Sequence, residues 1–206
     1  MEGSGQFSPD ARLTASGLAC RRGDRLLFRE LSFDLAPGAA LHVTGANGSG
    51  KTTLIRTLAG LSRPYAGEVE AAGGIGLLDE RPALEPDLPL GKALAFWSRL
   101  DGASDCGPIH ARLGLERLAE VPVRYLSTGQ KKRAALAVLL ARGVPVWLLD
   151  EPLSGLDTDA IETVSGLVTE HVARGGIALI ASHQPLAVPG LESLAIGDHA
   201  PREEPA

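Results

Sequence analysis

Gly45-Ala46-Asn47-Gly48-Ser49-Gly50-Lys51-Thr52 matches the pattern GxxxxGK[ST]. Before it, Ala40, Leu41 and Val43 read as a short buried strand. After it, Thr52 to Ala59 reads as a helix, with Leu54, Ile55 and Leu58 on one face and Gly60 placed to end it. Strand, glycine-rich loop and helix, in that order, form the context in which such a loop cradles phosphate. The glycines let consecutive N–H groups turn inward, and the helix N-terminus adds partial positive charge. In that arrangement Lys51 would hold β- and γ-phosphates and Thr52 would ligate Mg²⁺. Gly45, Ala46, Asn47, Gly48, Ser49, Gly50 and Thr53 would line the rest of an ATP site. A chance glycine-rich turn is the alternative, and the flanking strand and helix argue against it.

Upstream of the loop, Leu26 to Leu35 alternates apolar and polar residues, and Pro37 with Gly38 supplies a turn, which predicts an antiparallel hairpin leading into the buried strand. Downstream, Leu61 to Arg124 carries scattered Pro and Gly and two helical patches, Gly91 to Leu100 and Ile109 to Leu118, and reads as a smaller helical lobe. From Ser127 a helix runs through Ala141. It is followed by the apolar strand Val144 to Leu149, a helix from Asp159 to Ala173 and the strand Ile177 to Ser182. Apolar strands alternating with helices predict a parallel sheet covered on both faces. The fold class expected is α/β: a phosphate-loop core of mostly parallel sheet flanked by helices, an antiparallel N-terminal part, and a helical lobe at about 85–140. One domain is expected over residues 13–190, with 1–12 and 197–206 as flexible tails.

Composition narrows the function. A chain of 206 residues, 44% hydrophobic, can bury one substantial core. The net charge is −5, and the basic clusters Arg21–Arg22 and Lys131–Arg133 are too short to neutralise many phosphates, so nucleic acid is not an expected partner. Cys20 and Cys106 have no CxxC spacing and read as free thiols of a reducing compartment. The opening Met1 to Asp10 lacks the basic start and apolar stretch of a secretory signal. Apolar runs fall short of the roughly 20 residues that span a bilayer. A membrane role would be borrowed from a partner.

Phosphate chemistry also needs carboxylates, and the apolar strand to Leu149 ends in Asp150 and Glu151. Asp150 would sit in the Mg²⁺ shell, while Glu151 would polarise the attacking water as general base. An acidic pair after an apolar strand is also a common solvated edge. Its company with the phosphate loop favours hydrolysis over binding alone.

Between loop and acidic pair stand Leu126, Ser127, Thr128, Gly129 and Gln130, which resemble the signature LSGGQ of ABC transporter ATPases. Ser154, Gly155, Leu156 and Asp157 are similar to that family's D-loop, and His183 to its switch histidine. These elements occur in the family's order over roughly residues 13–186. The resemblance implies ATP hydrolysis by a homodimer in which Ser127, Gly129, Gln130 and Asp157 of one chain help complete the nucleotide site of the other. His183 would sense the γ-phosphate. A helix cap at Ser127 is compatible with that role, because capping and anion binding use the same helix end. Two positions depart from the family pattern. Where an adenine-stacking Tyr is usual, the chain has Cys20, Arg21, Arg22 and Gly23, so Arg21 or Arg22 would stack by its guanidinium plane. Where a Q-loop glutamine is usual, the chain has Glu80, whose carboxylate could touch Mg²⁺.

Leu18 to Arg22 followed by Leu27, Phe28 and Arg29, the run Tyr125 to Arg133, and Arg81 to Leu84 resemble the haem-exporter ATP-binding subunits of bacterial cytochrome c maturation. That likeness implies docking on integral membrane subunits at the cytoplasmic face of the inner membrane, with ATP turnover serving haem handling or release. His42, His110, His171, His183 and His199 form no haem-ligand pattern. An ABC ATPase for another cargo and a non-transport regulatory protein that uses ATP as a ligand are the rival readings.

Overall fold

A computed structural model describes residues 6–79, 82–102 and 106–201. The chain opens with β1 (Arg12–Arg22), β2 (Arg25–Leu35) and β3 (Ala40–Thr44), followed by α1 (Lys51–Leu58), β4 (Ala66–Ala72) and β5 (Ile75–Leu78). Next come α2 (Leu90–Leu100), α3 (Gly107–Arg112) and α4 (Thr128–Arg142), then β6 (Val146–Asp150), α5 (Thr158–Ala173), β7 (Ile177–Ala181) and β8 (Glu192–Ala195). Short 3₁₀ turns lie at Glu116–Leu118, Val123–Tyr125 and Ile196–His199.

Two sheets result: an antiparallel one in the order β2-β1-β4 and a parallel one in the order β5-β6-β7-β3-β8. Every residue of β6 and β7 is buried, as a strand covered on both faces requires. Their side chains divide with period two. Val146, Leu148, Ile177 and Leu179 join a core with Leu13, Phe28, Leu31, Leu54 and Ile55 of the antiparallel sheet and α1. Trp147, Leu149, Ala178 and Ile180 join the opposite core with Leu136 and Leu139 of α4 and Val164 and Val168 of α5. The α/β class with an antiparallel part is therefore as expected, and α2, α3 and two 3₁₀ turns make up the lobe.

Four expectations are corrected. The hairpin is formed by β1 and β2, with Arg22 opposite Arg25, while Pro37–Gly38 carries the chain from one sheet into the other. The stretch Leu61 to Arg124, read as helical, contains β4 and β5. All but one of the β4 residues are exposed, so β4 lacks an apolar pattern and is specified by its backbone ladder to β1. The ordered fold runs past residue 190, because β8 pairs with β3 and Ile196 is buried beside it. At the other end Phe7 donates its N–H to the Arg174 carbonyl at 3.0 Å and lays its ring edge-on to His171, so residues 7–12 are fastened to α5 and β1 rather than loose. Among the described residues no helix is long and apolar enough to cross a membrane.

Candidate functional site

Gly50, at φ 110, caps α1 and has no side chain with which to occupy the first N–H groups of this helix. Glycine is required at the loop's entry as well as its exit. A Cβ on Gly45 would come within 2.6 Å of Ile196 Cγ2, and one on Gly50 within 3.1 Å of the Phe28 ring. Lys51 is buried and donates from Nζ to the carbonyls of Gly45 at 2.8 Å and Ala46 at 3.3 Å. Ser49 Oγ is buried with no hydrogen-bond partner. A buried ammonium, a helix N-terminus and an orphaned hydroxyl beside the same loop form a receptacle for phosphate oxygens. Thr52 is exposed on the first turn, with Thr53 next to it, half-buried.

The loop leaves from β3, whose neighbour β7 leads into Ser182 and His183, and the next strand, β6, ends in Asp150. The acidic strand is thus one place removed from β3 rather than beside it, and the strand between them delivers the histidine. Glu151 follows Asp150 at φ 47, a left-handed conformation that costs a residue with a side chain roughly 1–2 kcal/mol. Its N–H donates to the Ala181 carbonyl at 2.7 Å. The Glu151 carbonyl accepts from the Ser154 N–H at 3.3 Å and from the ammonium of Lys132. The carboxylate lies between two sequence-selected partners, with Oε1 at 3.9 Å from Lys51 Nζ and Oε2 at 2.9 Å from His183 Nδ1. His42 Nε2 stands 3.1 Å from the Ser182 carbonyl and ties β3 to the turn that carries His183. Asp150 is buried at the strand end. The Thr52 hydroxyl and the Asp150 carboxylate are hard oxygen donors of the kind Mg²⁺ takes alongside water and substrate phosphates.

Ser127 caps α4 in a capping box: the Gln130 N–H donates to Ser127 Oγ at 3.2 Å, and the Ser127 N–H to Gln130 Oε1 at 2.9 Å. These residues direct their hydrogen bonds to each other, not to the phosphate loop of their own chain. Gly129 lies against the Gly155 carbonyl, which a Cβ would approach to 2.5 Å. Asp157 caps α5 through the Ala160 N–H at 2.9 Å. Arg21 holds its guanidinium over the Tyr65 ring at 5.3 Å, and Arg22 is exposed at the hairpin end. The recess of about 510 Å³ beside Ala46–Ser49 is walled by Arg25, Leu26 and Leu27, and its lining includes neither Arg21 nor Arg22. Glu80 lies outside the described residues.

Sequence reasoning passed over Lys132, noted only within a basic triplet, and His42, which carried no motif. The available signal for Lys132 was helical spacing, since it stands three residues after the glycine of the signature.

The two-sheet fold and the phosphate loop, with the acidic end of β6 beside His183, define an ATP-binding cassette. The chain belongs to the ABC transporter family, whose model matches residues 28–154, and within it to the ATP-binding export proteins of cytochrome c biogenesis. It is 56% identical over 189 residues to the cytochrome c biogenesis ATP-binding export protein CcmA of Novosphingobium aromaticivorans, across 92% of this chain and 97% of that one. The protein of the same name from Sphingopyxis alaskensis is 49% identical over 187 residues, across 90% and 96%. Among solved structures, the dimeric post-hydrolysis state of an ATP-binding cassette bound to ADP and phosphate superposes with a TM-score of 0.78 at 21% identity, over 93% of this chain and 97% of that one, a likeness of fold.

Proposed function

We propose that this chain hydrolyses ATP as one half of a homodimer seated on integral membrane subunits at the cytoplasmic face of the bacterial inner membrane. Its cycle would power haem handling or release in the biogenesis of c-type cytochromes. The names of the relatives support the link to cytochrome c biogenesis and to export, while haem as cargo and the membrane setting are what the family resemblance implies. The chemistry follows from one observation, the Glu151 carboxylate standing between Lys51 and His183.

ATP binding replaces the neutral carbonyls that Lys51 now contacts by β- and γ-phosphate oxygens, and such charge-assisted bonds are about twice as strong as neutral ones. The N–H groups of the loop and of α1 take the remaining phosphate oxygens. Thr52 and Asp150 would hold Mg²⁺, with Glu80 a further candidate from the sequence, and the ion would supply positive charge to the phosphates. Glu151 accepts a proton from the attacking water, whose oxygen bonds to the γ-phosphorus as the bond to the β-phosphate oxygen breaks. His183 orients the Glu151 carboxylate and meets the γ-phosphate. The capped end of α4, with Ser127, Gly129 and Gln130, supplies N–H groups to the γ-phosphate of the partner chain, and Asp157 shapes the turn that faces it. Adenine is taken at the hairpin end, where Arg25 is a better placed contact than Arg21 or Arg22.

Glu151→Gln tests this directly. It keeps shape and ATP affinity while removing the base, and turnover should fall by about 10²–10⁴-fold. The assay is phosphate release from the complex assembled with its membrane subunits, beside equilibrium ATP binding. Parent-like phosphate release by this variant would remove Glu151 from its role. Cells carrying the variant should also accumulate less holocytochrome c, and an unchanged yield would sever the link to cytochrome biogenesis.

A further inference from the structure

A lysine only 6% exposed is uncommon, because an ammonium taken out of water needs close acceptors to offset the loss. Lys132 is such a residue, and it places its charge on the main-chain carbonyl of Glu151. That carbonyl belongs to a residue held in a left-handed conformation. Strain of this kind persists where the surroundings over-determine it. At Glu151 three bonds do so. Two are backbone bonds, to Ala181 at 2.7 Å and from Ser154 at 3.3 Å; the third is charged and comes from a different element, α4.

The same face of α4 touches this segment a second time. Gly129 and Lys132 are spaced i, i+3, so they lie one above the other on the helix. Gly129 sits on the Gly155 carbonyl, closer than any Cβ would allow. The helix that begins at Ser127 is therefore seated at two points on the backbone between Glu151 and Gly155.

We propose that Lys132 is a positioning residue for Glu151. It holds the backbone in the conformation that carries the carboxylate between Lys51 and His183, and it ties that carboxylate to the helix whose N-terminus meets the partner's nucleotide. The inference rests on the reading of Glu151 as the base.

Lys132→Met keeps the length of the stem and removes the cation, whereas Lys132→Arg restores a donor with charge. Both are measured for ATP turnover in the complex with its membrane subunits, and for Mg·ATP affinity and thermal midpoint in the purified chain. Lys132→Met is expected to bind ATP within about threefold of the parent and to lose at least about tenfold in kcat with KM nearly unchanged. Lys132→Arg should recover kcat to within about threefold. Should Lys132→Met melt far below the parent, Lys132→Gln, which keeps a neutral donor, is read for the same split between kcat and KM. Parent-level kcat in Lys132→Met, or equal losses in the Met, Gln and Arg variants that track the thermal midpoint, would overturn the proposal. Glu151→Gln run alongside separates the two levels. Activity in that variant removes the base reading itself, while its inactivity beside a fully active Lys132→Met leaves the base in place and removes Lys132.

Discussion

His171 makes the stability of this chain depend on pH in a calculable way. The residue is buried in α5, stacked on Trp147 with ring centroids 3.8 Å apart and met edge-on by Phe7 at 4.9 Å. Its Nε2 faces the carbonyls of Pro145 at 3.0 Å and Ile177 at 3.3 Å. Both partners accept, so Nε2 carries the proton and donates, and the neutral ring fits. Burial, aided by the charge of Arg174, pushes the imidazole down to about 4 from its ordinary 6.5, with the two carbonyl contacts acting in the opposite sense. The unfolded chain thus takes up a proton near pH 6.5 that the folded chain refuses until about pH 4. The contribution of His171 is complete above the upper value and declines as pH falls through this window. Between about pH 7 and pH 5 the imbalance, RT ln[(1 + 10^1.5)/(1 + 10^−1)], amounts to about 2 kcal/mol. For a domain of this size that is a fall in thermal midpoint of roughly 5 °C. Urea unfolding of the parent and of His171→Phe at the two pH values isolates the effect, because every other titrating group cancels in the comparison. The Phe variant should lose stability at neutral pH, having given up the bonds to the carbonyls, yet lose about 2 kcal/mol less than the parent on acidification. Equal losses in both proteins would refute the assignment of a neutral, buried imidazole. The site has a stake in the outcome, since these two carbonyls lie at the beginnings of β6 and β7, whose far ends carry Glu151 and His183.

Lys51→Ala should abolish ATP binding, because it deletes the ammonium that the loop holds ready for the β- and γ-phosphates; calorimetric titration with Mg·ATP measures the loss, and retained affinity would contradict the site. Shared sites predict complementation between variants that are inactive alone. A mixture of Lys51→Ala and Ser127→Arg chains forms heterodimers in which one of the two sites has an intact loop and an intact signature, so phosphate release should return in the mixed complex. Normal hydrolysis by a complex made of either variant alone would show that a site needs one chain only.

Elements whose information is local were read directly from the residues. The phosphate loop needs particular residue types at consecutive positions, and Gly50, Lys51 and Thr52 fall where α1 begins. The α4 cap is legible for the same reason, since Ser127 and Gln130 satisfy each other across three residues. β6 and β7 announce themselves by being apolar throughout, as burial on both faces demands. β4 and β8 do not, because both are mostly exposed and owe their place to backbone ladders with β1 and β3.

What the sequence determined by itself was the set of groups proposed to handle phosphate: Lys51, the acidic pair Asp150–Glu151, His183 and the capped signature at Ser127. Their residue types and short spacings encode turns, caps and charges that form wherever the chain goes. Tertiary structure alone decided how they meet. It set β7 between β3 and β6, turned Arg21 onto Tyr65 while Arg25 took the wall of the recess, and brought His183 to Glu151 across 32 residues and Lys132 to the Glu151 carbonyl across 19. The physical reason is that strand order and the destination of a buried charge are settled by burial and by hydrogen-bond satisfaction over the whole core, and those terms join residues far apart in the chain that no local pattern relates.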